Sequence, residues 1–257
     1  MFIHKIPLFS PAPLHKEILE SMRDLTLLEQ TARFAGYSDG ILAGCGLIEK
    51  DMNIGVESGL VKFGGRVYVL SGDNSVHYEP TDKWTVLKAR FGGEVRSRDF
   101  ITYTGKLFLD SNVNLLPNEI EFGRFKLKKG FRLRTKYVNF ADMMTEYDTV
   151  NLVNATFAGI GEPTLSPVIL EHFAKEAFDY AENPLDAAFC CTALSGNGVM
   201  SRECILRYLN KRLNLNFESF NTITNSEAYS YLEQILLEIM GLNMGGGGGE
   251  DDGVLLY

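Results

Sequence analysis

Two adjacent glycines, Gly64 and Gly65, separate the β-rich runs Leu60 to Phe63 and Arg66 to Leu70, and they leave this stretch few ways to fold. The favoured two-residue hairpin turn needs positive φ at both central residues, which glycine adopts without a steric penalty. With Phe63 opposite Arg66, Val61 faces Tyr68, and Leu60 pairs with Val69 on the other side, with Val67 beside them. Neither face of that ribbon is polar, so both need cover. A sandwich, a barrel or a subunit contact meets that need better than an open sheet. A first hairpin is expected just upstream, in the glycine-punctuated run from Asp39 to Val56.

The rest of the chain divides by the period of its apolar residues. Ser10-Pro-Ala-Pro precedes Leu14, Ile18, Leu19, Met22, Leu25, Leu28 and Ala32, the spacing of an amphipathic helix ending near Gly36 and packing on a neighbour. From Gly40 to about Lys136 short runs rich in valine, phenylalanine, tyrosine and threonine alternate with glycines, including Trp84 to Phe91 and Phe100 to Leu109. Short strands without intervening helices indicate an antiparallel sandwich or distorted barrel. After Tyr137 the period becomes helical. Asn139 caps a short helix, Ser166-Pro167 opens one to about Ala181, and Asn183-Pro184 opens another that Gly196-Asn-Gly198 ends. Ser201 starts a helix to Leu213, and Thr224-Asn-Ser-Glu227 has the spacing of a capping box.

The expected class is therefore α+β: an N-terminal helical segment over 1–38, a β domain over 39–136, a small helical bundle over 137–243 and a glycine-rich tail over 244–257. The tail reads as a flexible five-glycine linker, an acidic Glu250-Asp-Asp, and an apolar tip, Val254, Leu255, Leu256 and Tyr257, suited to docking on a partner.

Charge is unevenly spread. The net charge of -8 resolves into 4 basic and 4 acidic residues over 1–38, 16 and 12 over 39–136, and 5 and 17 over 137–257. A middle at +4 and an end at -12 favour complementary contacts between domains or subunits. The most shaped cluster is Arg124, Lys126, Lys128, Arg132, Arg134 and Lys136. Alternation places these on one face of two strands joined at Lys129-Gly130 and backed by Phe125, Leu127, Phe131 and Leu133. In an acidic chain without evident stacking aromatics, that ribbon is expected to meet protein rather than nucleic acid.

Motifs for turnover do not stand out. His4, His15, His77 and His172 lie far apart and outside any metal-ligand spacing, no Gly-x-Ser-x-Gly elbow or phosphate-binding GxxxxGK[ST] occurs, and the glycine pairs lie between strands rather than before helices. Cys45, Cys190, Cys191 and Cys204 form no CxxC pair and read as free thiols. No cofactor and no enzymatic activity are expected. No apolar run is long enough to cross a bilayer and no secretory signal is evident, so cytosolic synthesis without membrane insertion is expected.

The order Tyr37-Ser-Asp-Gly-Ile-Leu-Ala-Gly-Cys45, a polar gap, then Gly59-Leu-Val-Lys-Phe-Gly-Gly-Arg-Val-Tyr68 resembles the attachment regions of tail and baseplate proteins from phages and phage-derived particles of Gram-positive bacteria. The resemblance continues through Arg98-Asp-Phe-Ile-Thr-Tyr-Thr104 and Thr164-Leu-Ser-Pro167 to the helical region near Leu213, about two thirds of the chain. It implies a structural protein, present in several copies, that joins the tail apparatus to a fibre or receptor-binding protein within a virion tail or related particle. The alternative is a carbohydrate- or receptor-binding module of a tail protein, for which Tyr68, Tyr78, Trp84 and Tyr103 are the candidate aromatics.

Overall fold

The computed structural model describes residues 16–72, 74–98, 101–217 and 223–241. It is an α+β structure in which small antiparallel sheets enclose one apolar core and four C-terminal helices enclose another.

The chain enters through helix α1 (Lys16–Phe34). Strands β1 (Gly40–Gly44), β4 (Gly59–Phe63) and β5 (Arg66–Leu70) form one sheet in the order β1-β4-β5, while β2 (Leu47–Lys50), β3 (Asn53–Val56) and β6 (Ser75–His77) form a second in the order β2-β3-β6. The expected register is the observed one: Phe63 opposite Arg66, Val61 opposite Tyr68 and Leu60 opposite Val69. Gly64 and Gly65 lie at φ of 55° and 75°, as the tight turn demands. A third sheet, β10-β7-β11, joins β7 (Thr85–Phe91) to β10 (Gly105–Asp110) and β11 (Glu119–Phe125), and β8 (Val95–Arg96) pairs with β9 (Ile101–Thr102).

The alternation of β7 explains how these sheets share a core. Leu87, Ala89 and Phe91 face inward with Ile41, Ile54, Val61, Ile120 and Phe122. The core also takes Val150, Leu152 and Ala155, from beyond the strand-rich stretch. Cover of the hairpin is incomplete, because Val69 remains 66% exposed.

Helices α2 (Pro167–Phe178), α3 (Pro184–Ser195), α4 (Arg202–Leu213) and α5 (Asn225–Ile239) start where the sequence signals place them, but Ser166, expected to cap α2, makes no side-chain cap hydrogen bond. Asn183 accepts from Leu185 N–H, Ser201 from Cys204 N–H, and Thr224 with Glu227 completes the reciprocal box. Asn139 accepts from Asp142 N–H beside a single 3-10 turn, Ala141–Met144. Inside the bundle Phe140 stacks on Tyr229 at 4.5 Å and Phe189 on Tyr208 at 3.9 Å. Buried Asp186 accepts from Tyr208 Oη at 2.9 Å and from Arg212 at 3.1 Å, so its charge is paired inside the bundle. Tyr137 and Val168 pack against both cores, and Tyr137 Oη donates to the Val150 carbonyl at 2.7 Å.

Candidate functional site: a basic surface segment and an aromatic groove

The six basic residues singled out from sequence do not form one paired ribbon. The turn at Lys129-Gly130 is present, with Gly130 at φ 91°, but β11 ends at Phe125 and residues 131–136 do not pair back on it. The segment 148–151 lies between the two arms instead. Arg124 N–H donates to Asn151 O and Asn151 N–H to Arg124 O, Asp148 N–H donates to Lys126 O, Arg134 N–H to Asp148 O, and Val150 N–H to Arg134 O. Asp148 also takes Lys128 N–H on its carboxylate at 3.2 Å. Each arm thus satisfies its backbone on this third segment, which nearest-neighbour hairpin reasoning does not foresee.

This insertion sorts the cations into two groups. Arg124 forks onto buried Glu121 at 2.6 and 2.7 Å, Lys126 pairs with Glu146 at 2.5 Å, and Arg134 pairs with Asp142. Burial pushes the Glu121 carboxyl upward, and Arg124 opposes that shift. Glu146 holds the Lys126 ammonium above the usual lysine range. Lys126 also lies 5.2 Å from the Trp84 ring and Lys128 4.0 Å from that of Tyr147. Arg132 and Lys136 are exposed and make no ion pair among the described residues. Phe125, Leu127 and Leu133 back the segment from the core as expected, but Phe131 does not, being 57% exposed; Val138 is 79% exposed. The result is an outward-facing run of Lys128, Lys129, Arg132 and Lys136 with two uncovered apolar side chains. The other predicted partner-binding residues, Val254, Leu255, Leu256 and Tyr257, lie outside the described residues.

Of the four aromatics considered for sugar recognition, the fold brings two together. Tyr68 and Tyr103 line a cavity of about 310 Å³ between the β1-β4-β5 and β10-β7-β11 sheets, floored by Phe91, Ala89 and Phe122. The Arg66 guanidinium lies 3.8 Å from the Tyr103 ring centre, and Tyr103 Oη donates to Glu94 at 2.5 Å. That bond and Arg96 hold the Glu94 carboxyl below the usual range. Tyr78 is buried in the core against Phe125, its hydroxyl on Glu49, and Trp84 stands by Lys126. A wider concavity of about 730 Å³, lined by residues including Lys50, Asp51, Asn53 and Glu57, shares no lining residue with this groove.

Sequence reasoning missed the most buried charge cluster. Lys88, in the middle of β7, donates to Asp110 at 2.9 Å and to Asn114 O at 2.7 Å, and lies 3.4 Å from Glu119, whose carboxylate also takes Arg90 and Leu116 N–H. Two hydrogen bonds and the ion pair to Glu119 engage the ammonium, so the cluster fixes the 111–118 connection. The available signal was a lysine in the middle of a run whose immediate neighbours, Val86, Leu87 and Ala89, are apolar. Cys45 is buried, which pushes its thiol up to about 11, and burial likewise raises Cys190 to about 12; both remain protonated thiols at neutral pH. Among the described residues no group of three or more His, Cys, Asp or Glu side chains is arranged to hold a metal, and no helix is long and apolar enough to cross a membrane.

No protein-family model matches this chain, and no curated protein matches it. Among solved structures it is similar to TssK, with a TM-score of 0.42 and 11% identity over 94% of this chain and 70% of that one. A second similarity is to a chain of the TssK-TssF-TssG baseplate subcomplex of the type VI secretion system, with a TM-score of 0.36 and 10% identity over 91% of this chain and 99% of that one.

Proposed function

We propose that this chain is a non-enzymatic structural component of a phage-type tail or baseplate, and that it joins the tail apparatus to a fibre or receptor-binding protein. The observation that carries the docking role is the segment Lys128 to Val138, where Phe131 and Val138 stand uncovered among Lys128, Lys129, Arg132 and Lys136. Large exposed apolar side chains rimmed by charge are the composition of a protein contact, and the cations that form no ion pair among the described residues suit an acidic partner surface. The tail-type assignment rests on the sequence resemblance between Tyr37 and Tyr68 and its continuation.

The test is incorporation. Particles purified from producing cells should lose this subunit, about tenfold or more, when Phe131→Ser is combined with Arg132→Glu, because hot-spot aromatics and buried cations dominate such contacts. The isolated variant should melt as the wild type does. Unchanged incorporation of a folded variant would remove this segment as the docking surface.

A second reading, a carbohydrate- or receptor-binding module, is favoured by one observation: Tyr68 and Tyr103 converge on a single groove with Glu94 and Arg66 at its rim. Titration with cell-wall saccharides, followed through the tyrosine ring resonances, distinguishes the readings. Shifts confined to Tyr68 and Tyr103 that vanish in Tyr103→Ala would support the module.

A further inference from the structure

Helix α3 carries a single charge, Asp186, and that carboxylate is turned into the bundle. Its outer side, which includes Ala188, Cys191 and Thr192, therefore has no charged residue, although these three are exposed. A helix without a charged face is ordinarily covered on all sides. Beside it lies an open groove of about 620 Å³, walled by Leu185, Ala188 and Phe189 of α3 and by Cys204 and Tyr208 of α4. Arg207 and Lys211 stand along the α4 rim. Charge sets this rim apart from the rest of the bundle. Residues 137–257 hold 5 cations against 17 anions, and four of the cations are on α4, whereas α2 has one and α3 and α5 have none. Arg212 is taken up by Asp186 and Glu238, and Arg207 pairs with Glu203 on the same rim. Lys211 makes no ion pair among the described residues.

We propose that this groove receives residues 250–257 of the same chain, with Glu250, Asp251 and Asp252 over Arg207 and Lys211 and the apolar run Val254 to Tyr257 between α3 and α4. The order of the segment, an acidic triplet and then an apolar run, supplies both kinds of contact that the groove offers, a cationic rim and apolar walls. On α2, α3 or α5 the triplet would meet at most one cation. Reach favours the same bundle. Glu238, near the end of α5, pairs with Arg212 at 3.0 Å, and Arg212 with Asp186 at 3.1 Å. Those two are the sequence neighbours of Lys211 and Leu185, so the groove begins beside the end of α5. Residues 242–253 separate Gly241 from Val254, and a glycine-rich stretch of that length spans about 17 to 21 Å root-mean-square. From Glu203 to Lys211 the rim rises only about 12 Å, so the whole groove is within reach. A tether this short also holds its ligand at an effective concentration on the order of millimolar, which makes a modest contact sufficient.

The full chain in a Cys191→Ser background is the material for the test. There Cys204 is the accessible thiol, since Cys45 and Cys190 are buried, and its alkylation by N-ethylmaleimide reports whether the groove is covered. Leu255→Ser combined with Leu256→Ser should speed that labelling about tenfold, because two apolar contacts are lost, while the far-ultraviolet circular dichroism stays that of the parent. Lys211→Glu should speed it about threefold, and adding Asp251→Lys should restore the slow rate, a reversal that a merely structural role for Lys211 would not give. Under mild oxidation Leu256→Cys should close a disulfide to Cys204 within one chain, at the monomer mass. A labelling rate unaltered by the leucine substitutions overturns the proposal. So does a parent rate that falls as protein concentration rises, or a disulfide that joins two chains, because either places the peptide on another molecule. These readouts need no particle, so their failure leaves incorporation through Lys128 to Val138 untouched.

Discussion

At the scale of single residues, two glycines with similar backbone angles are held for different reasons. Gly65, at φ 75°, opens onto empty space, so Gly65→Ala meets only the conformational penalty and should cost about 1 kcal/mol. Gly198, at φ 77°, would place a Cβ 1.9 Å from the Pro167 carbonyl oxygen, against the start of α2. Gly198→Ala should cost about 2 to 3 kcal/mol by denaturant unfolding, because backbone must move as well. Ser166 behaves oppositely. Its buried Oγ has no hydrogen-bond partner, so Ser166→Ala should leave stability unchanged or raise it, and a loss above about 1 kcal/mol would reveal a missed partner.

Lys88 gives a pH signature at the same scale. Burial alone would raise Glu119, but Leu116 N–H, Arg90 and Lys88 outweigh it and hold the carboxyl below its ordinary 4.5; Asn112 N–H and Lys88 hold Asp110 below 3.8. Carboxylates with depressed folded-state pKa contribute fully above their unfolded values, and that contribution disappears as pH falls through the folded ones. Lys88→Met should therefore destabilise by about 3 to 5 kcal/mol at neutral pH, where two carboxylates lose their buried cation. Chemical denaturation of both proteins should show the difference shrinking below pH 4.5. A gap that widens in acid would contradict this account.

At the scale of elements, what was legible in the sequence was local. The caps at Asn183, Ser201 and Thr224 and the Gly64-Gly65 turn depend on side chains within three residues of the backbone they satisfy. Illegible features depend on residues far along the chain. β1 pairs with β4 rather than with its sequence neighbour, and segment 148–151 enters between the arms of the basic loop. Of the candidate site, the exposed cations and the buried positions Phe125, Leu127 and Leu133 followed from alternation. The outward turn of Phe131 did not, because alternation fails once the ladder is lost. Lys62 shows how such distant pairs act on an element. Lys62→Met leaves the Phe34 carbonyl that ends α1, and the Tyr37 carbonyl just beyond it, without their cation and should fray that end, costing about 1 to 3 kcal/mol, read as faster amide exchange over Gln30 to Phe34.

At the scale of the whole molecule, the two cores are stitched rather than merely adjacent. Tyr137 and Val168 pack against both, and one short segment places Val150, Leu152 and Ala155 in the strand-rich core and Val153 in the helical one. Thermal unfolding should accordingly give one cooperative transition, with calorimetric and van't Hoff enthalpies in agreement. Two resolved transitions would mean that these contacts do not couple the cores.

The lysine at the centre of β7 also acts while the chain is still finding its partners. Lys88 stands opposite Phe108 on one side and Glu121 on the other. Slipping β7 by one residue would swing its ammonium to the face that Leu87, Ala89 and Phe91 share with the apolar core, stranding a charge where no carboxylate can reach it. A central strand built only of valine and leucine would accept several alignments nearly equally. The buried lysine therefore acts as an error check, making misaligned intermediates too costly to persist and keeping a strand-rich chain from the alternative pairings that lead to aggregation.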